Sequence, residues 1–379
     1  MMFQRKTLHL ATFLLITFTL ILAGCAGTDL PPSPEKNPTL PPAAIQSTNT
    51  SLPPTPSPTP LPESTEIPTS IAGSEPIDRD TIGSLSVQNT MEIEYPRKAV
   101  WNEDTETITI VASEKIVTAQ ISDFSIISST PLDVEIQLLD ISPNGRFTAQ
   151  TSDMWTIQII DNTSGDLFQT LEPEEQFMDA HFSPDSNRIL IPSLDNIKGI
   201  EFDVITGTRL NEFTGFSFGG PVYDVFYAQY SDDLIWFSRG SVMVMNRDSG
   251  DMSEYFGHQG FAESIALSPD GNLLVVATSA MVEEVDSTVL QFWNRHTGES
   301  IALKPTESYC HSLIFTPDGS LLIGAIGSNL SVWDMENHEL LMSYLVHDDT
   351  INSITLSPDS TSLITTSFDN TLALWRVEP

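Results

Sequence analysis

Cysteine and positive charge are what this chain has least of. Two cysteines, Cys25 and Cys310, serve all 379 residues, which excludes a disulfide framework and the cysteine-rich zinc patterns. Lys and Arg number 16 against 51 Asp and Glu, a formal net charge of −35 with a pI near 4.2. Phosphate recognition needs clustered cations, so nucleic acid is not an expected partner. Acidity on this scale suits solubility, loose association with cations, and partners of basic character. There is no EF-hand spacing of aspartates and no HExxH, so neither a metal site nor another cofactor is expected. Past Cys25, no long stretch carries helical periodicity.

Aromatic side chains are absent between Gly27 and Glu94, and half of the 26 prolines lie between Pro31 and Pro68. In "SLPPTPSPTPLPEST" (Ser51 to Thr65) they alternate with Ser and Thr. So little apolar surface cannot offset the entropy of ordering the backbone, so residues 25–81 read as a disordered tether, partly polyproline II. Ahead of it, Arg5 and Lys6 precede an uncharged apolar stretch from Thr7 to Gly24, the pattern of an export signal. Leu22-Ala23-Gly24-Cys25 resembles the lipobox of bacterial lipoproteins. That resemblance implies loss of residues 1–24 and lipidation of Cys25. The protein would then stand on the outer face of a bacterial membrane, on the cell surface or the periplasmic side. An uncleaved spanning helix, or a chance cysteine near an ordinary signal, are the alternatives. Two or more acyl chains, at about 0.8 kcal/mol per buried CH₂, hold a protein stably at a bilayer.

From Ile82 the chain repeats itself. "SPNG" at Ser142, "SPDS" at Ser183, "SPDG" at Ser268, "TPDG" at Thr316 and "SPDS" at Ser357 are joined by the weaker "WNED" at Trp101 and "SDDL" at Ser231. Aligned on their second residues (Asn102, Pro143, Pro184, Asp232, Pro269, Pro317 and Pro358), they recur every 37 to 48 residues. Each follows a short alternating run such as "FAESIAL" and precedes two more, such as "SLITTS" and "TLALWRV". Four short strands per unit, repeated seven times, predict an all-β, seven-bladed β-propeller over residues 82–379. Pro presets φ in each turn, Asp bonds nearby backbone, and Gly accepts left-handed geometry.

In the later units the repeats resemble the WD40 family. Trp333-Asp334 ends a third strand, Gly257-His258 and His347 stand eleven residues before Pro269 and Pro358, and Trp375 ends the chain's last strand. The resemblance implies a structural hydrogen-bonded set of His347, Ser367, Asp369 and Trp375 in the last unit, with His258, Trp333 and Asp334 at matching places in other units. Asp accepts from His, His meets the hydroxyl, and the hydroxyl meets the indole N–H. The last unit ends too soon for a fourth strand, and "IGSLSVQNT" (Ile82 to Thr90) is expected to supply it and close the ring.

Gly215-Phe216-Ser217-Phe218-Gly219 matches the GxSxG nucleophile elbow but lies between two predicted strands, without the helix that motif requires. No catalytic residue is therefore assigned. The expected function is a membrane-anchored, monomeric interaction or scaffold module, with a protein or peptide partner of basic character. The alternative is a small-ligand or enzymatic propeller with its site at the mouth of the central channel. Counting back six residues from the apolar residue ahead of each turn gives Glu94, Glu135, Gln176, Asp224, Phe261, Tyr309 and Thr350, of which Glu135, Asp224, Phe261, Tyr309 and Thr350 are the candidate interaction face.

Overall fold

The computed structural model describes residues 75–377 except 134, 194–197, 215–221, 239–240, 257–260 and 283–284. Cys25 with its flanking signal, the expected tether as far as residue 74, His258, and the GxSxG run at 215–219 lie outside the described residues, whereas residues 75–81 of that tether are described and bury Ile77. The turns explain the repeat. In "SPDG" the Ser268 hydroxyl donates to Asp270 at 2.6 Å and accepts the backbone N–H of Leu273 at 2.9 Å. Ser142, Ser183, Thr316 and Ser357 make the same pair of bonds within their own turns. The fourth residue takes a left-handed backbone, as at Gly145, Gly271 and Gly319, and also at Ser186 and Ser360.

Two units depart from the sequence alignment. Asn102 N–H donates to Thr107 O at 3.0 Å, the bond that Ser142 makes to Phe147, so Asn102 holds the Ser place rather than the Pro place. Its amide bonds Thr107 and Thr109 where other blades use a hydroxyl. In the fourth unit Ala228 N–H donates to Asp233 O at 2.8 Å, so the turn begins at Ala228 and not at Ser231. Tyr230 stands there in place of Asp, and its hydroxyl reaches Phe315 O at 2.6 Å across the channel.

Strand β1 spans Leu85–Glu92 and follows a single 3₁₀ turn at Ile82–Ser84. Blade one is β2 (Pro96–Trp101), β3 (Thr107–Ala112), β4 (Lys115–Gln120) and β5 (Ile126–Pro131). Blade two is β6 (Gln137–Ile141), β7 (Phe147–Thr151), β8 (Ile157–Asp161) and β9 (Leu167–Leu171). Blade three is β10 (His181–Phe182), β11 (Arg188–Pro192), β12 (Gly199–Asp203) and β13 (Arg209–Phe213). Blade four is β14 (Val222–Tyr227), β15 (Leu234–Ser238), β16 (Ser241–Met245) and β17 (Met252–Phe256). Then come β18 (Phe261–Leu267), β19 (Leu273–Val282), β20 (Val285–Asn294) and β21 (Ser300–Thr306) of blade five. Blade six is β22 (Cys310–Phe315), β23 (Leu321–Ile326), β24 (Asn329–Asp334) and β25 (Glu339–Leu345). The last three strands are β26 (Ile351–Leu356), β27 (Ser362–Ser367) and β28 (Thr371–Val377).

Every sheet is a four-stranded antiparallel meander, and the seventh is completed by β1, in the order β1-β28-β27-β26. The ladder runs from Leu85↔Val377 to Glu92↔Thr371 with one bulge between Val87 and Asn89. Second strands such as β3, β23 and β27 are buried along their whole length because a neighbouring blade covers each face, whereas β5 on the perimeter is exposed throughout.

The core is a ring of inter-blade clusters. That between blades six and seven gathers Leu321, Ile323, Val332, Leu363 and Trp375, and draws in Ile77, Ile82 and Leu85 from ahead of the ring. Ile77 N–H donates to Ser360 O at 2.7 Å, and Arg79 pairs with Asp334 at 2.7 Å, so the entering segment is fastened below blades six and seven. The interface between blades one and two is thin, built on Val100, Val111 and Ile141. Polar pairs supplement it: Lys98 with Asp140 at 2.8 Å, and Asn144 donating to Glu103 at 2.8 Å.

Candidate functional site

Two polar sets between blades are structural. In blade seven, Trp375 Nε1–H donates to Thr365 Oγ1 at 3.2 Å, and Thr365 lies 2.8 Å from His347 Nε2. His347 Nδ1 in turn meets Asp369 at 3.0 Å. Burial lowers the His347 pKa in spite of Asp369, so the ring is neutral. One tautomer then satisfies the whole chain: Nδ1–H donates to Asp369, and Nε2 accepts from Thr365. The hydroxyl is therefore Thr365 and not Ser367. Both lie on one strand face, but Thr365 pairs with Ala373 of β28, within reach of the Trp375 ring, whereas Ser367 sits at the strand end opposite Ile351. Ser367 instead donates to Asp349 O and accepts the Asp369 N–H. Trp333 and Asp334 are both buried but serve separate ends. Trp333 packs over Gly324, where an added Cβ would meet the ring at 2.9 Å, and Asp334 holds Arg79.

The second set was not legible in the sequence. Glu201 on β12 is 0 % exposed, where five other blades place the apolar Ile159, Val244, Phe292, Val332 and Leu374 and blade one places Thr118. Arg247 of blade four forks onto it at 2.8 and 2.7 Å, Tyr227 donates at 2.6 Å, and Asn211 donates at 2.6 Å. Burial would raise its pKa, but these donors outweigh it, and the carboxylate stays ionised with its pKa lowered.

The central channel holds the third set. Counted back from the turn residues Ser183 and Ala228, Asp179 and Asp224 occupy the same place in blades three and four. With His181 they form the one triad of His, Cys, Asp and Glu among the described residues whose ligand atoms all lie within 4.8 Å. His181 Nε2 is 3.0 Å from Asp224 Oδ1, and the ring stands edge-on to Phe226 at 6.0 Å. Asp140 is close by, accepting Phe182 N–H at 3.0 Å while Lys98 holds its other oxygen. Burial pushes the Asp179 carboxyl up to about 6. Burial pulls His181 down, but Asp224, Asp179 and Asp140 together raise it to about 10, so the imidazole is charged. Below lies a cavity of about 510 Å³ lined by Trp101, Phe182, Phe226, Ile265, Leu313 and Ile354.

Asp224 accordingly belongs to the channel and not to the rim, because the blade-four turn starts three residues earlier than the alignment had it. The other candidate-face residues lie at the upper ends of the innermost strands. Glu135 is exposed, Thr350 half-buried, and Tyr309 40 % exposed. Phe261 opens β18, paired with Ser279. Exposed rim residues that went unread include Tyr95 (57 % exposed) and Phe368 (51 %), since each sits in a loop outside the aligned position. Backbone bonds carry Tyr309, Thr350, Phe368 and Tyr95 around one arc of three blades. Gly327 N–H donates to Tyr309 O, Ile351 N–H to Gly327 O, and Phe368 N–H to Thr350 O. Tyr95 N–H completes it by donating to the Asn370 side chain at 2.8 Å, and His311 meets the Phe368 ring edge-on. Exposed Glu94, Glu114, Glu307, Asp348 and Asp349 fringe this arc, with Arg97 the exposed cation beside it. The remaining cysteine, Cys310, is fully buried, and burial raises its thiol pKa well above the ordinary range.

The comparisons fit this architecture. The family model "WD domain, G-beta repeat" matches residues 338–376, which run from the outer strand of blade six through β28. WD repeat-containing protein 3 of Mus musculus is 30 % identical over 122 residues, covering 32 % of this chain and 12 % of that protein. Apoptotic protease-activating factor 1 of Rattus norvegicus is 22 % identical over 242 residues, covering 62 % of this chain and 18 % of that protein. This chain thus spans less than a fifth of the length of either relative. A chain in a crystal structure of the mitotic checkpoint complex superimposes with a TM-score of 0.62 at 18 % identity, over 85 % of this chain and 99 % of its own length. That likeness is one of fold. The chain is a seven-bladed β-propeller whose last sequence repeat is a WD40 repeat.

Proposed function

We propose that this chain is an anchored recognition module, with its propeller displayed on the outer face of a bacterial membrane and a protein or peptide seated on the upper rim. The observation that carries the reading is the exposed arc of Tyr309, Phe368 and Tyr95 inside an acidic fringe. Exposed aromatics are the side chains from which binding hot spots are built, and the acids around them favour a partner of basic character. None of the three rings is a member of the inter-blade apolar clusters. The WD40 repeat supports the same reading, since its polar set is spent on blade structure and none of it is poised for chemistry.

Replacing Tyr95, Phe368 and Tyr309 together with Ala is expected to leave the melting temperature within about 2 °C of wild type, as surface changes do. Capture of the partner that wild type cross-links in native envelope should fall at least about tenfold, the equivalent of one or two lost anchors. A triple variant that melts normally and captures the same partner undiminished would move the binding face elsewhere.

The anchoring half of the reading rests on Leu22-Ala23-Gly24-Cys25. Cys25→Ser is expected either to release the protein from the membrane fraction or to leave an unprocessed precursor. Mass spectrometry of the N-terminal peptide distinguishes the two. Processing and retention identical to wild type would contradict lipidation at Cys25.

A further inference from the structure

We propose that Asp179, His181 and Asp224 bind a divalent transition-metal ion of the zinc class, shared between blades three and four. The three groups present one imidazole nitrogen and two carboxylates, with ligand atoms all within 4.8 Å of one another. A zinc ion with nitrogen and oxygen ligands at about 2.0–2.2 Å sets its ligand atoms about 3.3–3.6 Å apart in a tetrahedron. The His181–Asp224 contact of 3.0 Å is therefore a few tenths of an ångström short of that edge, and Asp179, within 4.8 Å of both, has at most about 1.5 Å to close. Asp179 can move to do so. Its carboxylate accepts a hydrogen bond from the N–H of Ala180, its own neighbour, at 2.9 Å.

The surroundings favour a cation with more than one positive charge. Asp140 is a third carboxylate beside the site, accepting Phe182 N–H at 3.0 Å, and Lys98, the nearby ammonium, is held by Asp140 at 2.8 Å. An ion in place of the Nε2 proton leaves the imidazole a neutral ligand and adds a second positive charge among these carboxylates. Imidazole as a ligand, and only three protein donors, select against calcium and magnesium, which take six or more oxygens or keep their water. The His181 and Asp224 side chains are each 22 % exposed, so water can reach the site to complete the coordination.

The test uses the full-length chain, dialysed free of metal and titrated with Zn²⁺ alone by calorimetry. Co²⁺ serves as an absorbing substitute. One ion per chain is expected, together with a rise in melting temperature and a visible Co²⁺ band of four-coordinate type. His181→Gln and Asp179→Asn are each expected to weaken uptake by more than about a hundredfold, since even loss of an outer-shell partner costs tenfold to a hundredfold. His311→Gln, on the rim, should bind as wild type does. If circular dichroism shows that His181→Gln does not fold, Asp179→Asn decides, because its carboxylate ties no second element together. No stoichiometric uptake by wild type, or undiminished uptake in a folded Asp179→Asn, overturns the site.

Discussion

Arg247→Ala is expected to destabilise the propeller by about 3–5 kcal/mol at neutral pH, the cost of leaving a buried carboxylate without its cation. Glu201 is fully buried, and Arg247 supplies two of its four hydrogen bonds. Tyr227 and Asn211 remain as donors in the variant, but neither carries charge. The pH dependence gives the mechanism its signature. In the wild type the Glu201 pKa is lowered, so its contribution to stability is present above the unfolded value and lost as pH falls through the folded one. Without Arg247 burial dominates and the pKa rises above its unfolded value. The variant should then lose stability as pH climbs from about 4.5, the opposite slope. Urea melts of both proteins across that range check the crossing. A double replacement, Glu201→Leu with Arg247→Met, should recover much of the loss, since well-packed apolar pairs often replace buried ion pairs without penalty. Parallel pH profiles in the single variant and wild type would show that Glu201 does not remain buried and ionised.

Removal of residues 75–92 is expected to abolish folding altogether at ordinary temperature. Ile77, Ile82, Leu85 and Met91 are all buried. At about 1.5–3 kcal/mol each, their burial is comparable with the roughly 5–15 kcal/mol that separates a whole domain from its unfolded state. The same deletion strips β28 of its partner along the ladder from Leu85↔Val377 to Glu92↔Thr371, exposing an edge ready to pair with another chain. Light scattering should therefore show concentration-dependent association. Deleting Pro31 to Pro68 instead should leave the melting temperature unchanged. Matching melts for the two deletions would mean that β1 is not what closes the ring.

Local chemistry explains which parts of this fold could be read from sequence. The "SPDG" turns are recognisable because each is closed by bonds among six consecutive residues, as from Ser268 to Leu273. Asn102 and Tyr230 hide the same turn by substituting an amide for the hydroxyl and a phenol for the carboxylate. The choice of Thr365 over Ser367 depends on register against β28, and both hydroxyls lie on the right face. Nothing in "GIEFD" marks Glu201 as buried rather than solvated. Glu201 is buried only because blade four brings Arg247 to it, 46 residues on. Asp179, His181 and Asp224 look like ordinary polar residues of two inner strands until the ring sets those strands side by side. What neighbouring blades do to each other is invisible within any one repeat.

The fastening of the entering segment also decides how the ring responds to force. Tension on the chain ahead of residue 75 would reach β1 at Leu85, and that end of the ladder would open pair by pair, like a zip. Unzipping breaks bonds one after another and so resists little, whereas sliding two strands past each other loads every bond at once. The Ile77–Ser360 bond, the Arg79–Asp334 pair and the buried Ile77 and Ile82 lie upstream of that weak point and take the strain first. Lifetime under a pull follows the unfolding rate rather than the equilibrium stability. For a propeller held by its N-terminal side, a short clamp beneath blades six and seven therefore sets mechanical endurance, however firmly the seven blades pack.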